Sequence, residues 1–260
     1  MSARPMADAV YEAIDGFETY WRNVARQELL LRLWRRHGGG GARMLDVGCG
    51  VGTLLAFLGR HTALRGFGVD LYPDALRYCR RRGVSMVAAS DAVALPFRDQ
   101  AFDLVVCQDV VEHVREDAVT LSELRRVTAP DGLVLIVVPA LGLLWSARDV
   151  RLGHHRRYRL AVLRERMTAA GFEVVHGTYT DSWLVPLLAG AILLAKRTPE
   201  GLADLRDDAA PGAVGLINRL LLAVSRLESA WTVRWRLPFG VAALAAGRPR
   251  RPASATARDA

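Results

Sequence analysis

Lysine is nearly missing from this 260-residue sequence: Lys196 stands alone against 34 arginines. The net charge of +8 would by itself suit a polyanion or an anionic membrane. An arginine bias of this kind, together with abundant alanine, points to codon usage before a designed polyanion site. Cysteine is scarce too. Cys49, Cys79 and Cys107 are odd in number and lack metal-ligand spacing, which excludes a disulfide framework and argues for a reducing, cytoplasmic compartment. The opening MSARPMADAV has no apolar core and reads as no secretion signal. No apolar run reaches the roughly 20 residues of a spanning helix. The longest, WLVPLLAGAILLA over 183–195, is broken by Pro186 and Gly190. It is too short to span but apolar enough to be buried or to touch a membrane peripherally. There is no internal repeat.

What is present is a globular composition, 51% hydrophobic and 24% charged, of a length that suits one large α/β domain. Residues 1–17 read as a mobile N-terminal segment, 18–248 as the domain and 249–260 as a disordered tail. A helix over 18–36 places Leu29, Leu30, Leu33 and Trp34 on one face and ends at the glycines of 38–41. Strands are expected at Arg43–Val47, Gly66–Val69, Ser85–Ala88, Phe102–Cys107 and Leu133–Val138, with helices near 53–60, 73–82 and 115–127 between them. The helix at 115–127 should bury Val114, Ala118, Leu121 and Leu124. That at 159–170 repeats the pattern with Leu160, Leu163, Met167 and Ala170, then stops at Gly171, which suits a left-handed cap. Apolar strands alternating with helices give a parallel sheet covered on both faces. After a strand at Phe172–Tyr179 the alternation breaks. Two apolar helical segments, 183–196 and 213–229, flank the polar loop TPEGLADLRDDAAPG, and Phe239–Ala246 reads as an edge strand. The expected architecture is a Rossmann-like, doubly wound sheet of seven mostly parallel strands. Its last strand is antiparallel, and a helical insertion over 182–236 precedes it.

Asp46 closes the first strand, and Gly48-Cys49-Gly50-Val51-Gly52 turns into the next helix. Glycines let a ligand approach the backbone there, at the carboxyl end of a strand where ligands of open α/β sheets bind. Asp70 ends the second strand, 24 residues on, placed to accept from two ribose hydroxyls. These two features alone also fit a nicotinamide dinucleotide. That fingerprint is G-x-G-x-x-G, however, and Thr53 occupies its third glycine. Asp46, two residues before the first glycine, suits an ammonium group better than a pyrophosphate.

Four segments stand in one register: Met44-Leu45-Asp46-Val47-Gly48-Cys49-Gly50-Val51-Gly52, Val69-Asp70-Leu71-Tyr72, Ala89-Ser90-Asp91-Ala92 with Leu95-Pro96-Phe97, and Gln108-Asp109-Val110-Val111-Glu112-His113-Val114. Over about residues 20–180 the chain thereby resembles class I S-adenosylmethionine-dependent methyltransferases, in the broad group that includes ubiquinone and menaquinone biosynthesis enzymes. The resemblance implies S-adenosylmethionine as cofactor. Gly48, Cys49 and Gly50 would pass beside its methionine and ribose, with Asp46 near the amino group. Asp70 would take the ribose diol, Leu71 would pack near adenine, Asp91 would accept from the adenine amino group beside Ala92, and Gln108 would line the methionine end.

Methyl transfer to a hydroxyl profits from a base, for which histidine is suited near neutral pH. His113, after Glu112, follows strand four, and His154 lies in the loop after strand five; both loops belong to the carboxyl edge. These three are the candidate catalytic residues. The stretch from Trp145 to Tyr158, W-S-x-x-D-x-x-x-G-H-x-R-R-Y, resembles a bacterial methyltransferase subset often encoded with sugar or lipid enzymes. An aromatic N-terminal helix, here Tyr20, Trp21 and Arg26, accompanies it. Tyr20 and Arg159 depart from that subset's histidine and threonine. Tyr20, Trp21, Arg26, Trp145 and Tyr158 are the candidate substrate contacts. Some ubiquinone-pathway and small-RNA methyltransferases bind Mg²⁺ through E-x-x-E-H plus a distant histidine. Asp109, Glu112, His113 and His154 would be the matching set, although a metal-free site is the preferred reading.

Val214, Ile217, Leu220, Leu221, Val224 and Leu227 form an apolar stripe on 213–229. With 183–195 it would line a greasy pocket, rest on a bilayer or pack on the sheet. The leading acceptor is a hydrophobic small molecule, an isoprenoid, lipid-linked or natural-product scaffold methylated at oxygen or carbon. Three rivals stay open. A nucleic-acid methyltransferase would use the charge, but no RNA-binding module is appended and Gln108-Asp109-Val110 is not an N/D-P-P-Y motif. A nicotinamide oxidoreductase and a non-catalytic, membrane-associated cofactor-binding protein are the others.

Overall fold

Strand β5 (Thr128–Pro139) shows how the sheet is built. Leu133, Leu135 and Val137 face one core, while Val134, Ile136 and Val138 face another. A strand buried on both faces reads as an unbroken apolar run, which made it legible in sequence. The computed structural model describes residues 20–38, 40–195 and 215–250. The expected N-terminal segment 1–17, the polar loop 198–212 and most of the 249–260 tail lie outside the described residues.

Among the described residues, seven strands stand in the order β3-β2-β1-β4-β5-β7-β6. Besides β5 they are β1 (Arg43–Val47), β2 (Arg65–Asp70), β3 (Val87–Ala89), β4 (Phe102–Gln108), β6 (Phe172–Thr180) and β7 (Ala242–Pro249). Strands β1 to β5 pair in parallel, and β7 runs antiparallel to both neighbours. Helices α1 (Trp21–His37), α2 (Thr53–His61) and α3 (Pro73–Arg81) cover one face; α4 (Asp117–Val127) and α6 (Leu160–Ala169) cover the other. Between them in sequence lies the short α5 (Ala147–Arg151). Among the described residues the insertion carries α7 (Val185–Ala195) and α8 (Gly215–Thr232). Strand order reverses between β1 and β4, so a crevice opens at their carboxyl ends.

Three expectations need correction. The run at 239–246 is not an edge strand: β7 starts at Ala242, lies between β5 and β6, and leaves β6 at the edge. Its alanines and Gly247 are buried on both faces, and Gly247 leaves room for Met167 and Phe172. Pro249 belongs to β7 rather than to a tail. In α4, Ala118 is exposed, and Asp117 and Thr120 take inner positions beside Leu121, Leu124 and Val127. Asp117 tolerates burial because the Tyr158 hydroxyl donates to it and Arg156 and Arg166 pair with it. Of the three readings of the stripe on α8, packing on the sheet falls away, because Ile217, Leu220, Val224 and Leu227 are exposed while Ser225, Ser229 and Thr232 are buried; Val214 lies outside the described residues. Gly171 does take a left-handed conformation, with φ 90°, after α6.

Candidate active site

The turn after β1 is built around backbone donors. Gly48 N and Cys49 N donate to the Val69 carbonyl, at 2.8 and 2.9 Å, stitching the turn to the end of β2. Asp70 accepts from Gly50 N through Oδ2 (2.8 Å) and from Tyr72 N through Oδ1 (2.9 Å). One carboxylate thus shapes two loops of the crevice, and each oxygen keeps a second lone pair. Gly48, Gly50 and Gly52 are all left-handed, with φ of 76°, 52° and 78°. A β-carbon on Gly48 would run into Val110 Cγ2, so this glycine admits the loop after β4. A β-carbon on Gly50 would meet nothing within 4 Å, and that open side is where a ligand can lie against the backbone.

Asp46 is buried beneath this turn and accepts no hydrogen bond among the described residues. Burial, and then the nearby Asp70 charge, push its carboxyl up to about 7. A buried acid without a partner suits a cationic ligand group, such as the ammonium of an amino acid. The residues therefore fit S-adenosylmethionine at this end. Leu71 is exposed on the same rim. Asp91 is exposed too, with Oδ1 accepting from Val93 N at 3.1 Å. Gln108 is half-buried at the end of β4. Cys49 and Ala92 are corrections in part, because their side chains belong to the core. The Cys49 thiol packs among Leu54, Leu55 and Cys79 on the α2 side, close to Gly68, so only its backbone faces the turn. The Ala92 methyl joins the opposite core.

Beyond β4 a 3₁₀ turn, Val111–His113, anchors Val111 in the core and buries Glu112 completely. Neither Glu112 carboxyl oxygen has a hydrogen-bond partner among the described residues. Burial and the charge of Asp109 raise its pKa well above the usual carboxyl range. Glu112, His113 and His154 each bring one ligand atom within 4.8 Å of the others, and the two imidazoles meet edge to face at 4.7 Å. His113 is lowered by burial and by His154, and one ring nitrogen bonds the Gly153 carbonyl. Both loops expected to converge at the carboxyl edge do so.

His154 is held from behind. Its Nδ1 donates to Asp149 Oδ1 at 2.8 Å, which leaves Nε2 as the free basic nitrogen. Asp149 is fully buried. It accepts a forked pair from Arg157, at 2.8 and 3.0 Å, and a 2.9 Å bond from Ser146 N. Burial alone would raise its pKa, but Arg157, His154 and Ser146 outweigh it and hold the carboxyl below its ordinary value. These supports were not singled out from the sequence. The readable signal was Ser146-x-x-Asp149, a capping box opening α5.

The other expected residues divide. Asp109 is left-handed, with φ 53°, and its Oδ2 accepts from Arg26 at 2.5 Å, so its carboxylate is engaged outside the Glu112–His113–His154 trio while its charge still acts on Glu112 and His113. Arg26 also lies 4.0 Å from Asp181, to which Arg22 donates at 3.2 Å. These pairs tie α1 to the loop after β4 and to the end of β6. Trp21 is buried against Trp183 (centroids 5.3 Å apart), with half-buried Tyr20 at 5.6 Å. Trp145 is partly exposed in the loop after β5. Two substrate contacts are thereby corrected: Trp21 serves helix packing, and Tyr158 is a core residue whose hydroxyl donates to Asp117 at 2.6 Å.

Residues 45–136 match the family described as "Methyltransferase domain". A malonyl-[acyl-carrier protein] O-methyltransferase of Halorhodospira halophila is 31% identical over 253 residues, 90% of this chain and 80% of that protein. A demethylmenaquinone methyltransferase of Chlorobaculum parvum is 28% identical over 149 residues, 54% of this chain and 61% of that one. Among solved structures, a chain of the complex between the Haloferax volcanii Trm112 methyltransferase activator and the putative methyltransferase shares the fold. Its TM-score is 0.63 at 20% identity, covering 96% of this chain and all of that one. The glycine turn, the acids that follow it, the strand order and these relatives converge: the chain belongs to the S-adenosylmethionine-dependent methyltransferases.

Proposed function

We propose that the chain methylates an oxygen or carbon of a hydrophobic small molecule, of the isoprenoid, lipid-linked or natural-product kind, with His154 as general base. The observation that carries this reading is the convergence of Glu112, His113 and His154 beside the Asp149–His154 pair. The demethylmenaquinone methyltransferase of Chlorobaculum parvum supports a hydrophobic acceptor, and the malonyl-[acyl-carrier protein] O-methyltransferase supports oxygen as the receiving atom. Asp46 binds the cofactor's ammonium, Asp70 the ribose hydroxyls, and Leu71 and Asp91 border the adenine. The Gly50 backbone and Gln108 line the methionine end, and Tyr20 and Trp145 border the acceptor.

S-adenosylmethionine supplies a methyl group already activated on a sulfonium, so the protein's share is alignment and proton removal. His154 takes the acceptor's hydroxyl proton at Nε2 as the oxygen, or the conjugated ring carbon, gains the methyl group. The C–S bonding pair stays on sulfur. Asp149 stabilises the imidazolium that forms, and Glu112, its carboxyl held well above the usual range by burial, backs the two imidazoles from beneath.

The same trio could hold a divalent cation. Both histidine rings are oriented from behind, His154 by Asp149 and His113 by the Gly153 carbonyl. Two imidazoles and one carboxylate suit a first-row transition metal better than Mg²⁺, and Asp109 is already taken by Arg26.

The test is turnover of labelled S-adenosylmethionine against prenylated hydroquinones, catechols and lipid-linked phenols, with and without chelator. Methylation of a member of this panel, lost in His154→Ala while calorimetric cofactor binding persists, is the expected result. Turnover on RNA with none on the panel overturns the acceptor class, and full activity in His154→Ala overturns the base.

A further inference from the structure

Helix α8 is amphipathic the wrong way round for a helix that only packs. Its buried side is small and polar, Ser225, Ser229 and Thr232, and the Trp21 backbone N–H donates to Asn218 Oδ1 at 2.9 Å. Such side chains let α8 lie close along α1. Its outward side carries Leu216, Ile217, Leu220, Val224, Leu227 and Trp231, each between 36% and 75% exposed. At 3.6 residues per turn these six fall within about 100° of arc, one continuous stripe along about 22 Å of helix. Trp235, exposed and with its ring 5.9 Å from that of Trp231, extends the stripe beyond the helix end.

The charges around this stripe have one sign. The single acid of α8, Glu228, is turned inward, where it accepts from Asp181 N at 2.7 Å and from Ser182 N at 2.8 Å. The exposed charges are Arg219 and Arg226 on the helix, with Arg234 and Arg236 just past it. Only Arg226 is ion-paired among the described residues, to Glu28 at 2.6 Å. Arg36 and Arg236 both act on His176, which places the basic ends of α1 and α8 together, next to the paired tryptophans. A second copy of this face would set arginine against arginine. An anionic lipid surface matches it instead: an apolar face sinks to the acyl boundary, with tryptophan and arginine at headgroup level. Among the described residues no helix is long and apolar enough to cross a membrane, so contact is from one side.

We infer that the outward face of α8 docks the protein on anionic bilayers. The Trp21–Trp183 contact and the Arg26–Asp109 pair join α1, and through it α8, to the loops of the crevice. The inference is independent of the acceptor proposed above.

The test is flotation of the full chain with phosphatidylglycerol–phosphatidylcholine vesicles and with phosphatidylcholine vesicles alone. The chain should float with the former and far less with the latter. Leu220→Asp/Leu227→Asp should lower partitioning at least about tenfold while S-adenosylmethionine affinity by calorimetry stays unchanged, which shows the fold intact. Arg234→Gln/Arg236→Gln should weaken binding only to the anionic vesicles. Failure of the parent chain to float, or equal flotation of the aspartate variant, overturns the inference. So does a parent dimer that the aspartate variant turns into a monomer, which would assign the stripe to self-association.

Discussion

Asp149 grips His154 Nδ1 with one oxygen at 2.8 Å, while Arg157 closes a two-bond fork on the same buried carboxylate. Such a pair fixes both the tautomer and the direction of the imidazole. Asp149→Asn presents an amide that can donate to Nδ1 and reverse the tautomer. Turnover should fall about 100-fold with cofactor affinity unchanged. Removing one partner of a buried pair leaves Arg157 uncompensated, so unfolding free energy should also drop by about 3 kcal/mol. Single-turnover rates and urea unfolding check the two effects separately. A variant that loses stability but keeps its rate would make Asp149 purely structural.

Asp70 has a double duty that the sequence did not disclose, since it also binds the amides of Gly50 and Tyr72. Asp70→Ala should therefore abolish measurable cofactor binding by calorimetry and loosen the turn as well. Asp70→Asn keeps one oxygen acceptor and should fold more stably than the alanine variant, yet bind S-adenosylmethionine at least about tenfold more weakly than the parent. Parent-like affinity in both variants would remove Asp70 from the ribose.

Asp46, with its carboxyl pushed up to about 7 by burial and by Asp70, makes a pH prediction of definite sign. An unfolded aspartate titrates near 4, so between about pH 4 and 7 the folded chain keeps a proton that the unfolded chain has lost. The stability contributed by this group is complete below about pH 4 and is lost as pH rises through 7, on the order of 4 kcal/mol in all. The cofactor-free protein should thus lose more stability from mildly acidic to neutral pH than Asp46→Asn does. Cofactor affinity should move the other way, rising up to about tenfold per unit below pH 7 as the carboxylate ionises. Urea unfolding and calorimetry across this range test both; the same pH slope in the parent and in Asp46→Asn would contradict the buried acid.

The sheet was legible because its strands are buried on both faces and read as runs such as Leu133–Val138. The position of β7 was not legible. Alanines carry little pattern, and nothing local to Ala242–Gly247 says that the chain returns between β5 and β6. The stripe on α8 was legible as a face but not in its direction, since periodicity marks a face but not what the face meets. Only the fit of Ser225, Ser229 and Thr232 against neighbouring structure orients it. At the site, Asp46, Asp70 and the glycines stood out through spacing. Tyr158 and Trp21 misled because an aromatic beside a motif looks the same whether it faces a ligand or, as here, Asp117 and Trp183.

Gly48 makes the most local prediction. Its φ of 76° disfavours any side chain, and a β-carbon there would collide with Val110 Cγ2. Gly48→Ala should cost about 2–4 kcal/mol, one part from the left-handed backbone and the rest from overpacking. Only the second part can be relieved from outside the turn. Val110→Ala in the Gly48→Ala background should therefore recover a fraction of the loss, although the same change in the parent chain destabilises it. A double-mutant cycle by urea unfolding measures this coupling, expected at about 1 kcal/mol or more. Strict additivity would mean that the loop after β4 does not rest on the glycine turn. The crevice would then lack the contact that sets Glu112 and His113 beside the cofactor end of β1.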